Sequence, residues 1–257
     1  MSDLSGSNPT GRFTGLTELY AQYRPNYPSG AADFVVRHCQ LRAGSLVVDV
    51  GCGTGISSRL FAERGLKVVG IEPNAEMRTR AESELVPGAN PQPEYRNGTA
   101  EATGLDAGVA DAVLAAQAFH WFDADAALQE FHRILKPHGW VVLMWNERDA
   151  SNSFTAAYGA IIRALPDAAA VEVPRGDAGA ALLASALFED AERFAFKNEQ
   201  LLDENGVLGR AFSASYAPKD PLEVEKFTKH LRKVFQEHQQ NGYVSLRYET
   251  SVYLARK

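Results

Sequence analysis

A doubly wound α/β fold, with a mostly parallel sheet and helices on both faces, is predicted by three features of this sequence. Short, wholly apolar, β-branched segments recur along the first two-thirds of the chain. Segments with helical apolar spacing separate them. The first apolar segment runs directly into a glycine-rich turn. Strands that are apolar on both sides and joined through helices belong in a parallel sheet covered on both faces, with right-handed crossovers. A chain of 257 residues, 45% of them apolar and 23% charged, buries such a core without disulfides.

The strand segments are Leu46 to Val50, Val68 to Ile71, Pro93 to Arg96 (the weakest), Ala110 to Ala115, and Trp140 to Trp145. The last is entered through the turn Lys136-Pro137-His138-Gly139. Between them, Ile56 to Arg64, Ala75 to Leu85 and Ala124 to Leu135 have helical spacing. In the third of these, Leu128, Phe131, His132 and Leu135 share one face.

After about residue 147 the pattern changes. Ser151 to Leu165 reads as a helix stopped by Pro166, and Asp167 to Gly179 as a loop. A strand is expected over Ala191 to Gln200, helices over Glu204 to Phe212 and Leu222 to Gln240, and a turn at Asn241-Gly242. Val244 to Ala255 alternates Leu246, Tyr248, Thr250, Val252 and Leu254, as a closing strand does. The last two strands should pair antiparallel at one sheet edge, with residues 203–241 forming a helical cap or lid inserted before the last strand. The expected organisation is a flexible tail over 1–11 and a single domain over 12–257, with 12–146 as the ligand-binding core.

Composition narrows the function. The two cysteines, Cys39 and Cys52, suggest a reducing compartment rather than a disulfide scaffold. The net charge of −6 argues against a nucleic-acid partner. No segment approaches the roughly 20 apolar residues of a membrane span, and the polar start of the chain lacks the features of a signal peptide. The expectation is a cytoplasmic monomer or homodimer with no membrane partner. No cysteine and histidine set has zinc-ligand spacing, so no metal is expected.

The chemistry resides in Asp49-Val50-Gly51-Cys52-Gly53-Thr54-Gly55, placed where the first strand turns into the first helix. Gly51, Gly53 and Gly55 let the backbone turn tightly and let a ligand approach. The helix beyond them presents free N–H groups at the position where open α/β sheets bind ligands. A dinucleotide site needs G-x-G-x-x-G, but Ile56 occupies the place of its last glycine. Asp49, just before the turn, suits a cationic ligand end and not a phosphate. Glu72, about 20 residues on and closing the second strand, is placed to accept two ribose hydroxyls. Pro73 and Asn74 open the next helix, and Met77 is placed to pack on a base. Asn97 to Glu101 follows the third strand, with Ala100 and Glu101 beside an adenine amino group. The run Gln117 to Asp123 follows the fourth strand.

These segments resemble the class I, seven-stranded, Rossmann-like S-adenosylmethionine-dependent methyltransferases, in the small-molecule branch near the trans-aconitate-methyltransferase-like and methyltransferase type 11 proteins. The resemblance rests on Asp49 to Gly55, Gly70 to Asn74, Gly98 to Glu101, Gln117 to Asp123 and Leu135 to Gly139, and covers about residues 12 to 146. It implies a mostly parallel sheet with an antiparallel last strand, S-adenosyl-L-methionine as cofactor, and methyl transfer to a small-molecule acceptor, with a carboxylate or hydroxyl oxygen favoured. It also implies that the segment carrying Tyr20, Tyr23, Arg24 and Tyr27 closes over the cofactor, with Tyr20 and Arg24 in contact and the arginine on the methionine carboxylate. Gln117 falls near the methionine part.

If the acceptor needs a general base, His120 is the first candidate because its ordinary pKa is about 6.5; Tyr216 is the second. The bland reading of His120, beside Trp121 and Phe122, is a packed, hydrogen-bonded residue. Arg163, Arg175 and Arg210 are candidates for an acidic substrate, although lone arginines are mostly solvated surface. A non-catalytic regulatory protein that binds the same cofactor would keep the cofactor motifs. A nicotinamide oxidoreductase is disfavoured by Ile56. A nucleic-acid methyltransferase would carry Asn-Pro-Pro-aromatic where Gln117-Ala118-Phe119-His120 stands.

Overall fold

A computed structural model describes residues 21–85, 88, 90–166, 168 and 179–257. The tail over 1–11, Tyr20, Arg175 and most of the loop after Asp167 lie outside the described residues.

The sheet is built outward from β1 (Leu46–Val50), whose residues from Val47 onward are all buried. It pairs in parallel with β2 (Lys67–Ile71) on one side and β4 (Ala110–Ala116) on the other. β3 (Glu94–Arg96) extends the sheet beyond β2, and β5 (Leu135–Arg148) extends it beyond β4, again in parallel. β7 (Val244–Arg256) then runs antiparallel to β5, and β6 (Glu189–Leu202) antiparallel to β7, giving the seven-stranded order β3-β2-β1-β4-β5-β7-β6. The expected antiparallel pair at one edge is present.

Successive side chains on a strand point to opposite faces, and this alternation divides the core. Val47, Val68, Leu114, Met144 and Leu254 face α1 (Ser29–His38) and α2 (Ile56–Ala62), meeting Ala31, Ala32, Val35 and Phe61. Val48, Val50, Val113 and Leu143 face α4 (Ala124–Ile134) and meet Leu128, Phe131 and Ile134. α3 (Ala75–Ser83) connects β2 to β3. Three further helices, α5 (Ser153–Arg163), α6 (Glu204–Phe212) and α7 (Pro221–His238), gather in a third apolar cluster around Phe154, Tyr158, Leu231, Phe235 and Leu246. Asn74, Asp123, Asn152, Asp203 and Asp220 each accept a backbone N–H at a helix start, which contributes about 1 kcal/mol apiece. No helix among the described residues is long and apolar enough to cross a membrane.

Two features depart from the sequence expectations. Helix α1 has no counterpart among the predicted elements; its buried face is made of the small residues Ala31 and Ala32 with Val35, which barely register as an apolar stripe. Strand β5 begins at Leu135 and not Trp140. Ala110 pairs with Leu135 and Ala112 with Trp140, so Lys136 to Gly139 forms a bulge within the strand, with His138 at φ 64°.

Phe131 is fully buried and its ring meets Phe119 and Phe122. Phe131→Ala should lower the unfolding free energy by about 3–5 kcal/mol, read as a lower urea midpoint at unchanged slope.

Candidate functional site

The crevice forms where β1 ends. Gly51, Gly53 and Gly55 all have positive φ, at 69°, 55° and 78°. At Gly51 a Cβ would lie 2.6 Å from the Cβ of Ala118, so only glycine lets the turn approach the segment after β4. Gly55 caps α2 in the left-handed region, and a Cβ there would lie 2.2 Å from the Tyr95 hydroxyl. Gly55 thus serves packing beneath Tyr95. A Cβ on Gly53 would meet only the Met77 sulfur, at 3.9 Å, so the space before it is open.

Glu72 joins this turn to the next helix. Its Oε2 accepts from the Gly53 N–H at 3.0 Å and its Oε1 from the Asn74 N–H at 2.9 Å. Burial raises its pKa against the pull of those two donors and of Arg78.

Asp49 is placed differently. By strand alternation it shares the face of Val47, beneath α2. It is wholly buried, and its Oδ2 accepts from Ser57 at 2.7 Å and Ser58 at 2.6 Å. Its Oδ1 has no partner among the described residues. Burial pushes its pKa up to about 6, with the Glu72 charge adding to the rise and the two serine hydroxyls opposing it.

A cavity of about 250 Å³ opens over the turn. Of the residues singled out from the sequence, Arg24, Gly51, Gly53, Glu72, Pro73, Met77, Ala100, Glu101 and Gln117 line it. Asp49, Gly55, His120 and Tyr216 do not. Ile56, Ser57, Asn74 and Phe122 line it without having been singled out as contacts. For Ile56 and Ser57 the available signal was position, since the first turn of the helix after β1 faces the crevice in this fold.

Gln117 sits in the left-handed region at φ 57°, uncommon for a residue with a side chain. Its N–H bonds the Met144 carbonyl at 2.8 Å and its Nε2 the Asn146 carbonyl at 3.1 Å. This leaves its buried Oε1 without a partner among the described residues. The chemistry of the lining suits a cationic nucleoside. Glu72 stands beside an open glycine turn, and a buried amide oxygen is unfilled. A phosphate placed on that turn would meet the Glu72 carboxylate.

The two base candidates stand elsewhere. The indole Nε1 of Trp145 lies 3.4 Å from Nδ1 of His120. An indole nitrogen only donates, so Nδ1 accepts, and the neutral imidazole carries its proton on Nε2. Tyr216 is buried in the cluster of α5, α6 and α7.

The segment bearing Arg24, Pro25 and Tyr27 closes one side of the cavity. It is held by its backbone carbonyls. Asn26 O accepts from Asn198 at 2.7 Å and from Asn146 at 3.3 Å, and Tyr23 O accepts from Gln200 at 3.1 Å. Arg24 in turn donates to the Ser213 carbonyl at 3.3 Å.

Residues 48–143 match the family model described as a methyltransferase domain. An uncharacterized methyltransferase of Mycobacterium tuberculosis is 38% identical over 150 residues, 58% of this chain and 58% of the relative. An uncharacterized methyltransferase-like protein of Schizosaccharomyces pombe is 33% identical over 131 residues, 51% and 49% respectively. The chain thus spans about half the length of the curated relatives it matches. Among solved structures, one from Anaeromyxobacter dehalogenans, named provisionally a type II methyltransferase, aligns with TM-score 0.65 at 22% identity, covering 91% of this chain and 97% of that one. That likeness is one of fold: the class I, seven-stranded methyltransferase sheet.

The raised pKa of Asp49 has a sign. The folded state holds its proton more tightly than the unfolded chain, whose carboxyl titrates near 3.8, so this group's contribution to stability is full below about pH 4 and is lost as pH rises through about 6. The loss amounts to about 3 kcal/mol. Asp49→Asn should therefore gain in urea midpoint over the wild type as pH is raised from 4.5 to 7.5 (about 3 units). A difference that stays flat over that range contradicts the assignment.

Proposed function

Because the chain carries a class I methyltransferase domain, we propose that it transfers a methyl group from S-adenosylmethionine to a small-molecule acceptor, on a carboxylate or hydroxyl oxygen. The observation that carries this reading is Glu72: a buried carboxylate, held through both oxygens by backbone N–H groups, beside an open glycine turn. Its remaining lone pairs suit two ribose hydroxyls, and its charge favours a cation and repels a pyrophosphate.

The other lining residues are assigned by their chemistry. Met77 packs on the adenine, the Ala100-Glu101 segment meets the adenine amino group, and the unfilled Oε1 of Gln117 accepts from the α-ammonium group. Arg24, with Tyr20 beside it in sequence, takes the carboxylate. Pro73 shapes the ribose side. Asp49 acts from behind the turn, setting the negative potential of the crevice and anchoring the first turn of α2. When bound, the cofactor supplies an activated methyl group for in-line displacement. The chain's own task is position, and alignment is worth about 7–11 kcal/mol of the barrier.

The acceptor belongs beside Trp121, Phe122 and Asn146, under a cap formed by residues 203–241. A carboxylate acceptor needs no base.

Calorimetric titration with S-adenosylhomocysteine tests the reading. Glu72→Ala should lose about 1–3 kcal/mol of affinity, NAD should not bind, and incubation of the wild type with S-adenosylmethionine and a metabolite pool should produce a methyl mass shift. Unchanged affinity in Glu72→Ala, or tight binding of NAD, overturns it.

A further inference from the structure

We propose that Asn146 is a positioning residue that holds the closing segment and Gln117 in one register, so that the cofactor is retained by both together. The proposal rests on the methyl-transfer reading above and adds how that site keeps its ligand. Asn146, near the end of β5, lines the cavity, and both ends of its side-chain amide are engaged. Its Nδ2 donates to the Asn26 carbonyl at 3.3 Å. Its Oδ1 accepts from the Thr250 hydroxyl at 2.6 Å and from Asn198 Nδ2 at 3.0 Å. Its main-chain carbonyl accepts from Gln117 Nε2 at 3.1 Å.

The strand register brings these groups together. Asn146 stands opposite Thr250 on β7, and Thr250 opposite Phe196 on β6. Asn198 is two residues on from Phe196 and so shares its face. The bonds among them run in one direction. A backbone N–H only donates, so the Glu199 N–H, 2.9 Å from Asn198 Oδ1, fixes that oxygen as an acceptor. Asn198 Nδ2 is then the donor, to Asn26 O at 2.7 Å and to Asn146 Oδ1. With its Oδ1 accepting, Asn146 turns Nδ2 to Asn26 O.

The same logic reaches the cofactor side. A carbonyl only accepts, so Gln117 must give Nε2 to Asn146 O and present its buried Oε1, which has no partner among the described residues. One residue thus holds the carbonyl between the wall residues Pro25 and Tyr27 and makes Gln117 show an acceptor to the cavity. A second chain of the same polarity grips the segment at Tyr23. The Arg210 guanidinium, which only donates, bonds the Tyr248 hydroxyl at 3.3 Å. That hydroxyl donates to Gln200 Oε1 at 2.9 Å, and Gln200 Nε2 donates to Tyr23 O at 3.1 Å. Both grips therefore present donors whose direction is set from behind, at a backbone N–H or a guanidinium.

The test uses the full chain with S-adenosylhomocysteine as the probe. Binding to the wild type is measured first, and its absence refutes the methyl-transfer reading and this inference with it. Asn146→Asp keeps the shape and the bonds from Thr250 and Asn198, but it turns an oxygen toward Asn26 O. Dissociation of S-adenosylhomocysteine should quicken about 10-fold. Amide hydrogen exchange over residues 21–28 should quicken with it, while exchange in β1 and β4 stays at the wild-type rate. Asn198→Asp removes the other donor to Asn26 O from a residue outside the cavity lining. It should quicken the same dissociation without touching the ligand, and it carries the test if Asn146→Asp does not fold. An asparagine that only braced the sheet would change the urea midpoint and leave the segment as it was. Wild-type dissociation and wild-type exchange over residues 21–28 in the folded variants overturn the proposal.

Discussion

The geometry of the crevice depends on one carboxylate. Glu72 ends β2, and its two oxygens take the N–H groups of Gly53 and Asn74. One bond fixes the turn after β1, the other the start of α3. Two loops from different strands are thereby held at a set separation, with an open glycine turn between them. The cost is a buried negative charge, which the protein bears beside a second one at Asp49. Two such charges at the ends of adjacent strands oppose folding, and a cationic ligand relieves both.

Charge organises the rest of the site as well. Asp49, Glu72 and Glu101 occupy the half built from β1, β2 and the segment after β3. Arg24, on the wall formed by the segment before α1, is the cation that the proposed reading gives to the cofactor's carboxylate. A cofactor bearing a sulfonium, an α-ammonium group and a carboxylate would thus meet both signs on the cavity wall.

Much of this was legible in the amino-acid order because the backbone demands it. The glycine turn, the acidic end of β2 and the antiparallel close of the sheet follow from local geometry and period-two patterning. Asp49 shows where such reading stops. Its type suggested a ligand contact, but its parity with Val47 directs it under α2, to Ser57 and Ser58. Gln117 carries no local signal of its left-handed backbone; the pairing of β4 with β5 and the Met144 carbonyl impose it. Arg210 reads as one arginine among many until its burial is known, because the contacts that enclose it, to Tyr248 and through Ser213 to Arg24, span 38 and 189 residues.

The closing segment is fastened in a particular manner. Asn146, Asn198 and Gln200 grip it by main-chain oxygens at Tyr23 and Asn26, and none of these groups is ionic. These bonds are indifferent to salt and to acidity, while Arg24 adds a charged donor to the Ser213 carbonyl and Tyr27 packs into the core with Ala31 and Val35. The main-chain part of the fastening survives exchange of the side chains, so the wall above the ligand can be altered without releasing all of it.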